Sequence, residues 1–259
     1  MERSGINIRL IMMVGMILFS VISYYTKTSV NPVTGEKQHV SLTPDQEIAM
    51  GLQSAPQMAA EFGGEYGDQK VQDAIKKVGA KLVNSTQAKQ SPYRFDFHVL
   101  ADPETVNAFA LPGGQIFITV GLLKRLETED QIAGVLGHEM GHVINRHSAQ
   151  QMAKSGLIQG LLNSVVVGAS GSNSGMSASQ VASYVGNMIN LKFGRNDELE
   201  ADKYGLHYMN EASYKPEQMI RVMEILQQVS GSNRQSEFSS THPSPENRII
   251  KIKEEIAKM

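Results

Sequence analysis

Residues 128–149 read TEDQIAGVLGHEMGHVINRHSA, and the rest of the chain is best understood outward from them. Thr128 followed by Gln131 has the spacing of a helix-capping box, and nothing after it breaks a helix except tolerated glycines. The stretch therefore predicts a helix that carries His138, Glu139 and His142. Histidines four residues apart stack on one helical face about one turn apart, so both imidazoles can reach a single ion. Glu139 lies about 100° round from His138, beside such an ion rather than on it. There it can take a proton from a water that the ion activates, which is the work of a general base. A bare His-Glu-x-x-His arises by chance in a chain of this length on the order of once in a hundred. The uncharged flank (Val135, Leu136, Gly137, Met140, Gly141, Val143, Ile144) suits a buried helix and not a solvated face.

A catalytic zinc normally takes three protein ligands and keeps one position for water. The third ligand must be His or a carboxylate, because the chain has no cysteine at all. The segment from Arg195 to Gly205, RNDELEADKYG, offers acids on a second predicted helix, and helical phase separates them. Glu198, Ala201, Asp202, Gly205 and Met209 share a face of small and apolar residues that suits close packing on another helix. Glu200 falls with Tyr204, His207 and Glu211 on a polar face and reads as solvated. Glu198 is therefore the expected third ligand, and Asp202, one turn on, can orient a metal-bound histidine through its other ring nitrogen. His147, five residues beyond His142, reads as lying off the metal face.

The 259 residues, 41% hydrophobic and 19% charged, are enough to bury a real core. Zero cysteine excludes disulfides, thiolate zinc fingers, iron–sulfur clusters and a thiol nucleophile. A balance of 24 basic against 26 acidic residues gives no reason to expect nucleic acid as a partner. Thr43 and Pro44 open one predicted helix running to about Ala60, and Val71, Ile75, Val78 and Leu82 mark another. Phe95, Phe97 and Val99 then alternate with polar neighbours as a half-buried strand. Two further strands, at residues 107–110 and 116–120, flank the Leu111-Pro112-Gly113-Gly114 turn. Beyond Thr128 the pattern is helical, interrupted by the Ser/Gly-rich residues 168–180, readable as a lid or as a linker. Pro243, Ser244 and Pro245 lead into a last helix with Ile249, Ile252 and Ile256 on one face. The reading is an α+β fold, mainly helical, with one small mixed sheet.

Residues 10–26, LIMMVGMILFSVISYYT, carry no charge and lie between Arg9 and Lys27. As a helix they span roughly 25 Å against a hydrocarbon core of about 30 Å. Residues 1–30 are thus expected to be a membrane anchor or, alternatively, a cleaved secretory signal, with residues 31–259 forming the folded domain.

His138-Glu139-x-x-His142 followed by Glu198-x-x-Ala201-Asp202 resembles the gluzincin metallopeptidases of the CAAX-prenyl protease, HtpX, BepA and Oma-like superfamily. Asn31-Pro32-Val33-Thr34-Gly35, residues 107–114 (NAFALPGG) and Thr241-His242-Pro243 add to the likeness, which is greatest to BepA-like periplasmic proteases without a tetratricopeptide domain. The resemblance implies a zincin-like fold with the sheet beside the His-Glu-x-x-His helix, one catalytic Zn²⁺ per chain and endopeptidase activity. It further implies that Asn107 and Ala108 hold substrate along an edge strand, and that His242 approaches the zinc as an activity-blocking ligand or as an oxyanion donor. The expected substrates are unfolded or misassembled proteins at the extracytoplasmic, periplasmic side of a membrane. The alternative is a chaperone-like assembly or quality-control factor whose latent protease site is gated by His242.

Overall fold

A computed structural model describes residues 8–170, 193–230, 237–242 and 247–259. In chain order it contains α1 (Ile8–Thr26), β1 (Thr28–Val30), β2 (Lys37–His39), α2 (Pro44–Glu61) and α3 (Gln69–Asn84). Strands β3 (Asp96–Leu100), β4 (Ala108–Ala110) and β5 (Gln115–Thr119) follow, then α4 (Val120–Leu123), α5 (Glu129–Ile144) and α6 (His147–Ser170). The chain closes with α7 (Arg195–Glu211), α8 (Gln218–Ser230), α9 (Glu237–Thr241) and α10 (Arg248–Ile256). The described part is mostly helical, as the sequence pattern indicates.

The three strands form a mixed sheet in the order β3-β5-β4, with β3 parallel and β4 antiparallel to β5. All five residues of β5 are buried, as expected of the middle strand. β4 is left as an edge. The predicted elements fall close to the observed ones. Thr43 caps α2 with Gln46 reaching back and Pro44 in the first turn. Thr128 caps α5 by accepting from Gln131 N–H, but the Gln131 side chain reaches one residue further back, to Glu127 N–H. Residues 168–170 belong to the end of α6, while 171–180 and 243–246 lie outside the described residues.

Helix α5 is the centre of the molecule, with every residue from Ala133 to Ile144 buried. α3, β4, α7 and α8 all pack on it. It runs antiparallel to α7, because Gly134 lies at Met209, Gly137 and His138 at Gly205, and Gly141 at Ala201. The approach is close: a Cβ built on Gly205 would stand 2.9 Å from His138 N, and one on Gly141 would stand 2.8 Å from Ala201 O. Small residues on both faces are what permit the two backbones to meet. That register brings residue 198 to the turn bearing His142.

α5 stops at Asn145, and Arg146 takes a left-handed φ of 58° that turns the chain into α6. A non-glycine residue there is uncommon and needs support from its surroundings. Arg146 is buried, and its Nη2 and Nε donate to Glu47 Oε1 on α2 at 2.5 and 2.9 Å. Nη2 also donates to Leu42 O at 2.7 Å. Tyr93 completes the cluster by donating to Glu47 Oε2. Removing one member of a buried pair strands the other charge, at a cost of about 3–5 kcal/mol. Glu47→Ala is accordingly expected to lower the stability by that amount, read from the midpoint of urea denaturation.

The N-terminal helix α1 is 19 residues long. Among the described residues no helix is long and apolar enough to cross a membrane.

Candidate metal centre

Four buried side chains converge where α5, α7 and the end of α9 meet: His138, His142, Glu198 and His242. One donor atom from each lies within 4.8 Å of the others. His138 Nε2 and His142 Nε2 are 3.1 Å apart. Glu198 Oε2 is 3.5 Å from His138 Nε2, and Glu198 Oε1 is 3.4 Å from His142 Nε2. His242 Nδ1 lies 3.1 Å from Glu198 Oε1 and 3.4 Å from His138 Nε2. Donors at the corners of a tetrahedron with arms of ~2.0–2.1 Å stand about 3.3 Å apart. The observed spacings match that figure.

The partners of the two imidazoles fix where their protons go. His138 Nδ1 lies 2.9 Å from Asp202 Oδ1, an acceptor, so Nδ1 carries the hydrogen and Nε2 presents a lone pair. His147 Nε2 lies 3.0 Å from Glu200 Oε2, which leaves its Nδ1 to accept from His142 Nδ1 at 2.9 Å. His142 Nε2 is thereby a lone pair as well. Two lone pairs facing each other beside a carboxylate call for a positive charge between them. When no metal is bound, a proton meets that demand: burial opposes it, but the bonds to Asp202 and Glu198 raise the pKa of His138 to about 9. Glu198 follows the same logic. Burial acts against its ionisation, yet His242, His138 and His142 hold it well below the usual carboxylate range. This donor set fits a divalent metal ion.

Glu139 lies beside the cluster and not in it. It is 1% exposed, and neither carboxylate oxygen has a hydrogen-bond partner among the described residues. His242 Nε2 lies 3.7 Å from its Oε1. Burial pushes its pKa up, against the pull of His242 and His138. A carboxylate so placed has unused capacity to accept a proton.

Asn107 and Ala108 lie at the start of the edge strand. Thr119 N–H donates to Asn107 O, and Asn107 N–H donates to Thr119 Oγ1, so the Asn107 backbone is turned towards β5. Antiparallel alternation turns the backbone of Ala108 the other way, away from β5, where the residue is fully buried. The Asn107 side chain is fully buried, with no hydrogen-bond partner among the described residues. A small cavity lined by Glu47, Ala110, Leu111, Pro112, His142 and Arg146 lies at the end of α5.

Three residues at the site escape the sequence reading. Arg248 is buried, donates to Asp202 Oδ1 and Oδ2 at 2.7 and 2.5 Å, and pairs with Glu198 Oε2 at 3.0 Å. Its only local signal is a charge one turn before Ile252, on the apolar stripe of the last helix. His147 and Glu200 are the other two. The turn at Arg146 swings the His147 ring back against His142, and Glu200 is not free in solvent but holds His147. Partners that orient a metal-binding histidine typically matter 10–100-fold in affinity. His147→Ala is expected to weaken zinc binding by about that factor, measured by competition with a chromogenic chelator.

Fold and site together define a metallopeptidase. Residues 69–256 match the model of peptidase family M48, and the chain belongs to that family. It is similar to mitochondrial metalloendopeptidase OMA1 of Schizosaccharomyces pombe, at 30% identity over 239 residues covering 89% of this chain and 67% of that one. The beta-barrel assembly-enhancing protease of Escherichia coli (strain K12) is 28% identical over 84% of this chain. The chain spans only 45% of that protein's length. Metalloprotease YcaL of the same organism is 29% identical over 80% of this chain and 76% of its own length.

Proposed function

We propose that this chain is a zinc-dependent endopeptidase for misfolded or misassembled proteins, held by residues 1–30 at the extracytoplasmic side of a membrane. The observation that carries the reading is the pairing of a metal-sized cluster with a buried acid, Glu139, whose oxygens have no hydrogen-bond partner among the described residues. His138, His142 and Glu198 would hold the ion, which supplies a Lewis acid able to make water acidic near neutral pH. Asp202 and Arg248 fix His138 and Glu198 from behind. Glu139 accepts the proton of the attacking water and delivers it to the leaving amine. On this reading the edge of β4 is where the substrate backbone adds as a strand. The similarity to a beta-barrel assembly-enhancing protease supports substrates drawn from failed assembly.

The test is cleavage of unfolded casein by the purified chain. Activity should vanish on chelation and return with zinc. Cleavage that persists after the metal is stripped would refute the reading.

His242 favours a second reading, a latent protease. Its Nδ1 stands at tetrahedral spacing from the Glu198 and His138 donors, so it can take the position that water needs. If it blocks the site, His242→Ala raises casein cleavage; if it serves as an oxyanion donor, the same change lowers it.

A further inference from the structure

Helix α1 is apolar on every side, yet only one stripe of it is covered. Met13, Met16, Ile17 and Ser20, at helical spacing, are half-buried, and the helix that α1 packs along is α6. The other faces point outward. Nine of the fourteen large hydrophobic residues exposed among the described residues belong to α1, including Leu10, Ile11, Val14, Leu18, Phe19 (74% exposed) and Ile22. A helix apolar all round is stable only inside a protein or inside a membrane, and among the described residues none covers these faces.

α6 continues the pattern. Its residues 155–170, SGLIQGLLNSVVVGAS, contain no charge, and Ile158 is half exposed. Both helices leave the domain from one place. The hairpin of β1 and β2, which follows α1, is tied to the end of α5 just before α6 begins. Asn31 Nδ2 donates to Ile144 O at 2.7 Å, and Gln38 Nε2 donates to Asn145 O at 2.9 Å. Tyr24, at the end of α1, stacks on His39 of β2. The two helices therefore run antiparallel from a common base. Lys27 and Lys154 are exposed near that base, where they match anionic headgroups, and Tyr24 and Tyr25 are interfacial residue types.

We propose that α6 is seated in the lipid bilayer beside α1, so that the two form one inserted pair and not a single anchor. This rests on the membrane part of the reading above and extends it. The charge-free run of α1 spans roughly 25 Å, short of a hydrocarbon core of about 30 Å, whereas a pair can lodge in the bilayer without crossing it. His142 lies five residues before α6, so the pair fixes the metal centre close above the lipid surface. The substrates it reaches are then polypeptide segments at that surface.

The absence of cysteine makes the test clean, because single labels can be placed at will. F19C, I158C and, as a control at Glu224 of α8, whose side chain is partly exposed, E224C would each carry an environment-sensitive fluorophore on the full chain. The probe is vesicles of phosphatidylcholine with phosphatidylglycerol, some containing nitroxide-bearing acyl chains. The labels at 19 and 158 should shift to the blue and be quenched by the nitroxide lipid, while the label at 224 stays unchanged. Quenching at 19 with none at 158 overturns the proposal and leaves α1 as the sole anchor. No response at either position overturns the anchoring too, without touching the casein result. Shielding of both labels without vesicles, in a chain that sediments as a dimer, would identify a second copy as the occupant and also refute it.

Discussion

Glu139→Gln should keep its metal and lose its activity, with casein cleavage falling by about 10²–10⁴-fold, the usual contribution of a general base. The substitution is nearly isosteric and removes the proton acceptor while keeping the volume. Little of the described fold depends on the lost charge, since neither Glu139 oxygen has a hydrogen-bond partner among the described residues and His242 Nε2 stands 3.7 Å away. Burial without partners disfavours the carboxylate, so a neutral amide there costs little and is expected to leave the denaturation midpoint unchanged or slightly raised. Zinc content, measured by atomic absorption, should match the wild type, because Glu139 contributes no donor to the cluster. Loss of metal together with activity would mean that Glu139 is a ligand, contrary to the geometry described.

Gly205→Val separates the helices that bring the ligands together. Its Cβ would meet His138 N at 2.9 Å, Gly137 C at 3.1 Å and His138 Cα at 3.2 Å. All three are backbone atoms of the metal helix and cannot rotate away, so α7 must move off α5 and carry Glu198 with it. Overpacking of this kind typically costs about 1–3 kcal/mol. The larger effect is on the metal, because a shift of about 1 Å removes one donor from a site whose bonds tolerate about 0.2 Å. Zinc affinity should fall by well over 10-fold, more than for His147→Ala, which leaves all the ligands in place. Gly156→Ala is the contrasting change. A Cβ there meets nothing within 4 Å, and the helix should gain about 1 kcal/mol from propensity alone. Equal metal affinity in the Gly205→Val and wild-type chains would show that the close approach of α5 and α7 does not set the site.

Much of this centre was legible in the sequence, because helical phase is a local property. The i, i+4 spacing places His138 and His142 on one face, and the same arithmetic separates Glu198 and Asp202 from Glu200. The structure brings His138, His142 and Glu198 together and places Asp202 Oδ1 2.9 Å from His138 Nδ1. The parts that were not legible depend on how elements meet. His147 was read as if the helix ran on from His142, but the left-handed turn at Arg146 ends α5 and re-aims the next residue. Glycine usually marks such a turn. Here the conformation is held by Arg146 bonding to Glu47, almost a hundred residues away, and Asn145 is the only local hint of a stop. Arg248 is hidden for the same reason. Its acidic partners lie on another helix, and only its place on an apolar stripe sets it apart. The short apolar N-terminal stretch has the converse problem. Its composition is plain in the sequence, but its partner α6 appears only when the two are seen packed.

The central claim is that α5 and α7 together cage one divalent ion. An anomalous-difference map recorded at the zinc absorption edge, on crystals of the full chain grown with zinc, tests it most directly. The expected result is one strong peak about 2.0–2.2 Å from His138 Nε2, His142 Nε2 and a carboxylate oxygen of Glu198, with Glu139 outside bonding range. A peak that lies away from these three, or Glu198 still held by Arg248 with no ion beside it, would contradict the account.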